Sequence, residues 1–328
     1  MEIPPAILGN PERVVLTCSC RDADPIPKVA GAGEVFIENG VRVQRMHNGL
    51  KVVADGYYGD WMTELIGRLR GHHEPQEELV FHEVMKRIPP RATMLEIGGF
   101  WLYYSLWFLL QKPSLRTAYA IEPDPNYLEI GRRNAALNGL EVRVQQGFAG
   151  GDGPARRKFQ TESAGTLELP RIDVPTFLRE RGVGHLTILH CDAQGAELDV
   201  LNQCESLFRD KAITFAFVST HAAQISGDPL THQRCLTLLK GIGATILAEH
   251  DVHESFSGDG LIAAYFGDDP AAGAPVSLSR NRYSKSLFRN PLYEQAMLMV
   301  ENRSLREQLS CSTEHPIRKL LRRAGFRR

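Results

Sequence analysis

The first candidate for chemistry is a pair of glycines that follows a short apolar segment and one acidic residue. Glycine at the end of a buried strand lets the backbone approach a ligand closely, and the helix that follows presents unpaired N–H groups. This pattern predicts a loop for a nucleotide-like cofactor, although an ordinary strand-to-helix turn has the same pattern. The candidate cofactor residues of this loop are Glu96, Gly98, Gly99 and Phe100.

An acidic residue also ends the next predicted strand. Glu122 lies 24 positions after Gly98 and is followed by Pro123. In α/β proteins that bind nucleotides, an acid about 20 residues after the glycine loop accepts hydrogen bonds from ribose hydroxyls. A solvated loop acid is the alternative. The glycine loop and the acid at this spacing together favour a cofactor site that includes Glu122 and Pro123.

Polar side chains follow two later strands as well. Because the carboxyl ends of parallel strands meet at one edge of a sheet, Asp192 should face the same crevice as Glu96 and Glu122. Asp192 is a candidate cofactor contact and a candidate general base, and His221 is a second candidate base. A structural hydrogen bond is the alternative role of His221. A divalent metal is a further alternative, with His190, Asp192 and His221 as its candidate ligands.

Four further residues are candidates for the substrate side of the crevice. His73 and Glu74 precede a predicted helix that begins at Pro75, and Asp259 lies in a polar loop before the last predicted strand. Glu197 opens a later predicted helix, and favouring that helix N-terminus by its charge is its alternative role. We expect these four side chains to line the crevice beside the substrate.

These residues need a scaffold in which strands and helices alternate. From Thr93 onward, short apolar segments alternate with helical segments, which predicts a parallel sheet with helices on both faces. The predicted strands are Thr93–Ile97, Thr117–Ile121, Val142–Gln146, Leu186–Cys191, Ile213–Thr220, Thr245–Glu249 and Leu261–Phe266. The last two have no long helix between them and could supply an antiparallel edge. We therefore predict a doubly wound α/β domain over residues 91–267.

Extra segments flank this domain on both sides. Residues 1–90 are predicted to form an N-terminal extension. In it, a loosely attached segment, residues 1–33, precedes a β-meander with Asn-Gly turns and then two helices. Residues 268–328 are predicted to form a linker and a helical, basic C-terminal tail. Contact with a biosynthetic-enzyme partner through this tail stays open, as does a homo-oligomer.

Composition argues against several classes of function. The 328 residues carry a net charge of -1, which gives no general attraction to nucleic acid or to an anionic membrane. No run of about 18 apolar residues is present, so we predict no transmembrane segment. The six cysteines form no paired metal-binding motif. They are predicted to be reduced thiols, which is typical of a cytoplasmic protein.

The order of these motifs resembles that of the FkbM family of methyltransferases. The resemblance rests on Leu95–Gly98, Ile121–Pro125, Asn134, Asn138-Gly139 and Asp192–Glu197. It covers about residues 90–265. The glycine loop departs from the family, which tends to keep small residues where this chain has Phe100 and Trp101. Gln194 also replaces the usual glutamate.

The family implies a class I methyltransferase (Rossmann-like) fold, with seven strands and an antiparallel last strand. It implies S-adenosyl-L-methionine as the cofactor and O-methylation of a small-molecule or glycan acceptor, such as a sugar, a polysaccharide or a polyketide-like product. Glu96 and the loop glycines would line the methionine end, Glu122 would hold the ribose, and Asp192 and Glu197 would lie beside the acceptor. Two alternatives stay open. One is a non-catalytic scaffold; the other is a nicotinamide-dependent oxidoreductase, whose G-x-G-x-x-G loop is missing here.

Overall fold

The computed structural model describes residues 9–288, together with residues 295, 298–300 and 302–306 near the C-terminus. Residues 9–288 belong to one compact unit. The later described residues belong to a second unit and are helical, as predicted for the tail. The basic residues from Pro316 onward lie outside the described residues.

The described residues also bear on the cysteines and on membrane insertion. Their five cysteines are free thiols, and the sixth, Cys311, lies outside them. Within the described parts of the chain, every helix is too short or too polar to cross a membrane.

The N-terminal part combines helices with a small antiparallel sheet, as the sequence predicts. Its helices are α1 (Asn10–Thr17), α2 (Asp60–Arg68) and α3 (Pro75–Met85). Its strands are β1 (Val35–Glu38), β2 (Val41–Arg45) and β3 (Lys51–Val53), paired in the order β1-β2-β3. Both residues of the Asn39-Gly40 turn have positive φ, 51° and 76°, which is the geometry of a type I′ hairpin.

The first helix shows that the prediction of a loosely attached lead segment is wrong for its described residues. In α1, Val14, Leu16 and Thr17 are buried, and the Thr17 hydroxyl donates a hydrogen bond of 2.7 Å to the carbonyl oxygen of Phe256. Pro11 occupies the first turn, where its missing N–H has no cost. The apolar run of this helix is too short to reveal a helical period, which is why the sequence pattern hid it.

The rest of the unit alternates strands and helices close to the predicted positions. Its strands are β4 (Ala92–Ile97), β5 (Arg116–Glu122), β6 (Val142–Gln146), β7 (Phe148–Ala149), β8 (Arg156–Gln160), β9 (Thr166–Ile172), β10 (Leu186–Cys191), β11 (Ile213–Thr220), β12 (Thr245–His250) and β13 (Gly260–Tyr265). Its helices are α4 (Tyr103–Leu110), α5 (Pro125–Leu137), α6 (Val174–Glu180), α7 (Glu197–Gln203), α8 (Glu205–Arg209), α9 (Ala223–Ser226) and α10 (Thr231–Gly241).

A seven-stranded sheet in the order β12-β13-β11-β10-β4-β5-β6 forms the centre of the unit. The pairs among β4, β5, β6, β10 and β11 are parallel, whereas β13 is antiparallel to both of its neighbours. Successive side chains enter two separate cores: Met94 packs with α3 and α4 on one face, and Leu95 packs with α6 and α7 on the other. This arrangement confirms the predicted doubly wound fold with an antiparallel last strand.

A second small sheet, in the order β7-β9-β8, was not predicted from the sequence. β8 and β9 form a hairpin in which Gln160 pairs with Thr166. Most side chains of β8 are exposed, so this strand lacks the apolar alternation that marks a strand in a sequence. Phe159 is the exception, and it stacks on Phe148 with the ring centroids 4.7 Å apart.

Buried asparagines join the N-terminal sheet to the central one. Asn134 in α5 has no exposed surface; its carbonyl oxygen accepts a 2.8 Å hydrogen bond from the N–H of Val53, and its amide donates to the carbonyl oxygen of Trp101 at 3.0 Å. One turn later, Asn138 bonds both backbone groups of Lys51. The strand β3 and the loop after β4 are therefore attached to the same helix.

Candidate functional site

A cavity of about 750 Å³ opens at the carboxyl ends of the parallel strands. Loops that follow β4, β5, β10 and β11 form one side, and α1, α2 and the turn before α2 form the other. Open α/β sheets bind their ligands at this edge, and the volume is in the range of small-molecule sites. The candidate residues that line the cavity are His73, Glu74, Glu96, Gly98, Gly99, Phe100, Glu122, Pro123, His190, Asp192, His221 and Asp259.

The glycine loop is fixed by a close backbone contact. Gly98 has a φ of +79°, and a Cβ atom at this position would overlap the backbone carbonyl oxygen of Asp192. The N–H of Gly98 donates to the carbonyl oxygen of Ile121 at 2.9 Å, and the N–H of Asp192 donates to that of Ile97 at 2.8 Å. The loops after β4, β5 and β10 are thereby held against one another.

Glu122 connects the glycine loop to the end of β5. Its carboxylate accepts hydrogen bonds from the N–H of Phe100 at 3.0 Å and from the N–H of Asp124 at 2.8 Å. Burial raises the pKa of Glu122 to about 7, although these two N–H groups favour the carboxylate. Each oxygen keeps a second lone pair, so Glu122 can accept bonds from two ligand hydroxyls.

A linked set of charged side chains lies at the ends of β10 and β11. The Nδ1 atom of His221 lies 2.9 Å from Oε1 of Glu197, and its Nε2 atom lies 3.1 Å from Oδ1 of Asp192. Oδ1 of Asp259 is 3.6 Å from the same Nε2 atom. The His221 side chain is 1% exposed, against 30% for Asp192 and 29% for Asp259. The two aspartates therefore expose much more of their side chains to the cavity than the imidazole does.

The surrounding acids set the charge of His221. Burial alone would lower the pKa of His221, but Asp259, Glu197 and Asp192 raise it well above its usual value. The buried His221 ring is therefore protonated at neutral pH. Burial raises the pKa of Asp259 to about 7, against the opposing charge of His221. A carboxyl group with a pKa near 7 can exchange a proton at neutral pH.

Glu197 lies behind His221 and does not line the cavity, although its predicted position is on the acceptor side. The side chain has no exposed surface. Its Oε1 atom also accepts hydrogen bonds from the N–H groups of Ala193 at 3.1 Å and Gly195 at 2.9 Å. Glu197 thus holds the His221 ring and the loop that follows β10 at the same time.

The acids at the start of α3 are buried against histidines. Oε1 of Glu77 lies 2.7 Å from Nε2 of His190. His73 lies between Glu74 and Glu78; burial would lower its pKa, but these two carboxylates raise it to about 10. Each of these buried acids therefore lies against an imidazole ring, and His73 is shared by Glu74 and Glu78. Their sequence pattern suggests only a helix start with favourable charges.

The predicted divalent-metal site finds no support in the described residues. His190 is bonded to Glu77, whereas Asp192 and His221 contact each other. The ligand atoms of these three predicted ligands do not gather within 4.8 Å of one another. The strand alternation places His190 and Asp192 on the same side of β10, but Glu77 from α3 occupies the partner position of the histidine.

A different group of metal-type ligands does gather among the described residues. It consists of His47, His72 and Glu78, all buried. The two imidazole rings stack at 4.1 Å with an angle of 18° between their planes. Lone pairs of two nearly parallel stacked rings lie in separate planes and cannot point to one ion. This group is a hydrogen-bonded part of the core, with His72 bonded to Glu78.

Tyrosine rings that the sequence analysis missed cover part of the cavity. Phe100 stacks on Tyr127 at 3.5 Å, and Tyr57 stacks on Trp101 at 4.4 Å. Tyr58 rests edge-on against Phe100 and has a φ of +52°. The tyrosines come from a turn and from the surface of α5, and no periodic pattern marks them.

Two arginines that line the cavity were also missed. The guanidinium carbon of Arg13 in α1 lies 5.0 Å from the centroid of the Trp61 ring. That of Arg157 in β8 lies 4.5 Å from the Phe148 ring. Both residues belong to elements that the sequence pattern does not reveal, so the sequence offers no reason to place them at the site.

The central part of the chain matches one protein family. The family model described as the methyltransferase FkbM domain matches residues 84–244. A comparison with curated proteins finds no match.

The solved structures that the chain matches share little sequence with it. Precorrin-6y C5,15-methyltransferase from Geobacter metallireducens GS-15 is 12% identical with a TM-score of 0.39, over 58% of this chain and 88% of that one. TrmK from M. capricolum, in complex with S-adenosyl-homocysteine, is 13% identical with a TM-score of 0.36, over 74% and 90%. Ribosomal protein L11 methylase from Lactobacillus delbrueckii subsp. bulgaricus is 14% identical with a TM-score of 0.36, over 59% and 80%.

Gly98→Ala should lower the free energy of unfolding by more than about 3 kcal/mol, because the new Cβ atom meets the Asp192 carbonyl group. Urea denaturation measures this. Gly139→Ala is the matched control, since Gly139 also has positive φ (+60°) but open space around it, and it should cost about 1 kcal/mol. Equal losses in the two variants would show that the loops separate freely.

Proposed function

Residues 84–244 of this chain match the family model of the methyltransferase FkbM domain, and on this premise we propose that the protein transfers a methyl group from S-adenosyl-L-methionine to a hydroxyl oxygen of a carbohydrate or polyketide-like acceptor. The observation that carries the proposal is the position of Glu122. It is a buried carboxylate at the end of β5, bonded to the glycine loop after β4, in a cavity at the ligand-binding edge of the sheet. Ribose hydroxyls bind to an acid in this position.

The wall around Glu122 fits the proposed cofactor. Glu122 would accept bonds from the ribose hydroxyls, and Gly98 and Gly99 would admit the methionine end. Pro123 and the stacked rings of Phe100 and Tyr127 line the same wall and offer apolar surface to an adenine ring.

The charge of the cavity fits a cation as well. S-adenosyl-L-methionine supplies a methyl group that is already electrophilic because it is attached to a sulfonium. Glu96 and Asp192 both line the cavity, and carboxylates favour a positive charge in a partly desolvated site. Burial raises the pKa of Glu96 to about 7, against the neighbouring charge of His190, so the Glu96 carboxyl can also adjust its charge.

Asp192 is placed to take the proton of the acceptor hydroxyl. Its carboxylate meets the cavity, while His221 stands behind it with a proton of its own. His221 is therefore a positioning residue: Glu197 holds one ring nitrogen, and the other ring nitrogen faces Asp192. Asp259 is a second carboxyl group beside the same nitrogen. A proton acceptor in such a position contributes roughly 10²–10⁴ to a rate.

The wall opposite Glu122 favours an acceptor with many hydroxyl groups. The rings of Tyr57, Tyr58 and Trp61 line the cavity together with Glu74 and Asp259. Aromatic faces pack against the C–H faces of a sugar ring, and carboxylates accept hydrogen bonds from its hydroxyls. This mixture supports a carbohydrate more than a wholly apolar acceptor.

Glu122→Gln should weaken the binding of S-adenosylmethionine and of S-adenosylhomocysteine at least about tenfold, because the glutamine amide donates where a ribose hydroxyl needs an acceptor. Isothermal titration calorimetry measures both affinities. Glu162→Gln is the matched control, since Glu162 lines the same cavity but its carboxylate accepts from the Tyr58 hydroxyl and not from the glycine loop. If the wild type binds neither ligand, the methyltransferase proposal fails and the non-catalytic scaffold is favoured.

The affinity for S-adenosylhomocysteine should depend on pH near 7. The ionised form of Glu122 accepts the ribose hydroxyls, and burial raises the pKa of this group to about 7. Affinity should therefore be constant above about pH 8 and fall, by up to roughly tenfold per pH unit, once the carboxylate is protonated below pH 7. Titrations between pH 5.5 and about 8.5 test this. A flat wild-type profile contradicts it, and Glu122→Gln should lose most of the slope.

Asp192→Asn should lower methyl transfer at least about 100-fold, while the affinity for S-adenosylhomocysteine, which has no sulfonium charge, stays within about threefold. Transfer of tritium from methyl-labelled S-adenosylmethionine to a panel of sugars and polysaccharides measures the rate. Asp199→Asn is the matched control, because Asp199 also lines the cavity but lies on α7, apart from His221. Unchanged turnover in Asp192→Asn would exclude Asp192 as the base.

A further inference from the structure

The guanidinium of Arg13 is a cation of the cavity for which the proposed reaction has no role. Arg13 belongs to α1 and is half-buried. Its Nε atom is buried and has no hydrogen-bond partner among the described residues. Its guanidinium carbon lies over the Trp61 ring. A buried donor without a partner is costly, which points to a ligand that completes it.

The other cations at this end of the cavity are already neutralised. His221 contacts Asp192 and Glu197, and His73 contacts Glu74 and Glu78. Arg13 shares no ion pair with any carboxylate of residues 9–288. It is therefore the cation on this side that is free to bind an incoming anion.

The neighbours of Arg13 place it on the acceptor side. Its charge acts on the carboxyl group of Asp259, which lies 3.6 Å from Nε2 of His221. The Thr17 hydroxyl in the same helix is bonded to the carbonyl oxygen of Phe256 in the loop that leads to Asp259. Arg13 and Asp259 thus belong to one connected wall, and His221 links Asp259 to Asp192, the proposed proton acceptor.

We propose that Arg13 binds an anionic group of the acceptor, a carboxylate or a phosphate, so that an acidic or phosphorylated sugar is preferred over a neutral one. This inference rests on the proposed function and specifies its acceptor. A guanidinium presents planar N–H donors that match both anions bidentately. The contact of its guanidinium carbon with the Trp61 ring leaves those donors free. The buried Val14 and Leu16 hold α1 in place, so the donors are preorganised.

The test compares three sugars on the full chain loaded with S-adenosylhomocysteine. Calorimetry gives the affinities for glucose, glucuronate and glucose 6-phosphate. At least one anionic sugar should bind the wild type about tenfold or more tighter than glucose. Arg13→Gln should reduce this ratio to less than about threefold, and Arg13→Lys should keep part of it, because it retains the charge without the planar donors. The two anionic sugars distinguish a carboxylate site from a phosphate site.

Arg157→Gln is the matched control, because Arg157 is a cavity-lining cation on the other wall, and it should keep the ratio. The proposal is overturned if glucose binds as tightly as both anionic sugars, if no sugar binds the wild type, or if Arg13→Gln leaves the ratio unchanged. The affinity for S-adenosylhomocysteine in the same samples separates the two proposals. A wild type that binds it but shows no anion preference overturns only the role of Arg13.

Discussion

The backbones of two loops touch at Gly98, and this contact determines the geometry of the whole cavity. Because Gly98 has no Cβ atom, the carbonyl oxygen of Asp192 can occupy the space beside it. Backbone hydrogen bonds to Ile97 and Ile121 then lock the loops after β4, β5 and β10 into one frame. Glu122 ends β5 and Asp192 follows β10, so this frame fixes the backbone positions of both residues. A cofactor held at one carboxylate is thereby aligned with the other.

The buried charges place a second constraint on the molecule, because each carboxylate that leaves water needs a partner. In this structure the partner is an imidazole ring that belongs to a different helix or strand from the acid. Glu77 of α3 binds His190 of β10, and Glu197 of α7 binds His221 at the end of β11. These pairs join the helices to the sheet by charge as well as by apolar packing. Arg13, by contrast, has a buried Nε atom without a hydrogen-bond partner among the described residues.

The sequence predicts the frame of the site much better than its opposite wall, for a physical reason. The central strands are buried apolar runs between glycines and prolines, so their ends, and with them Glu122 and Asp192, can be located from one sequence. Contacts between side chains that are far apart in the chain leave no pattern of this kind in the sequence. Nothing near Glu197 in the chain shows that it turns inward to His221. Likewise, Arg13 and Tyr57 reach the cavity from a short helix and a turn that carry no period.

The part of the cavity that the sequence predicts well and the part that it predicts poorly come from different segments of the chain. The glycine loop, Glu122 and Asp192 lie within the matched residues 84–244. The opposite wall comes mainly from outside that range, with Arg13 and Trp61 before it and Asp259 after it. In the proposed function, methyl transfer depends on the frame, whereas selection of an acceptor depends on the added wall, whose side chains can differ without loosening the frame. A shared domain can therefore fix the reaction while the flanking segments of each chain determine what is methylated.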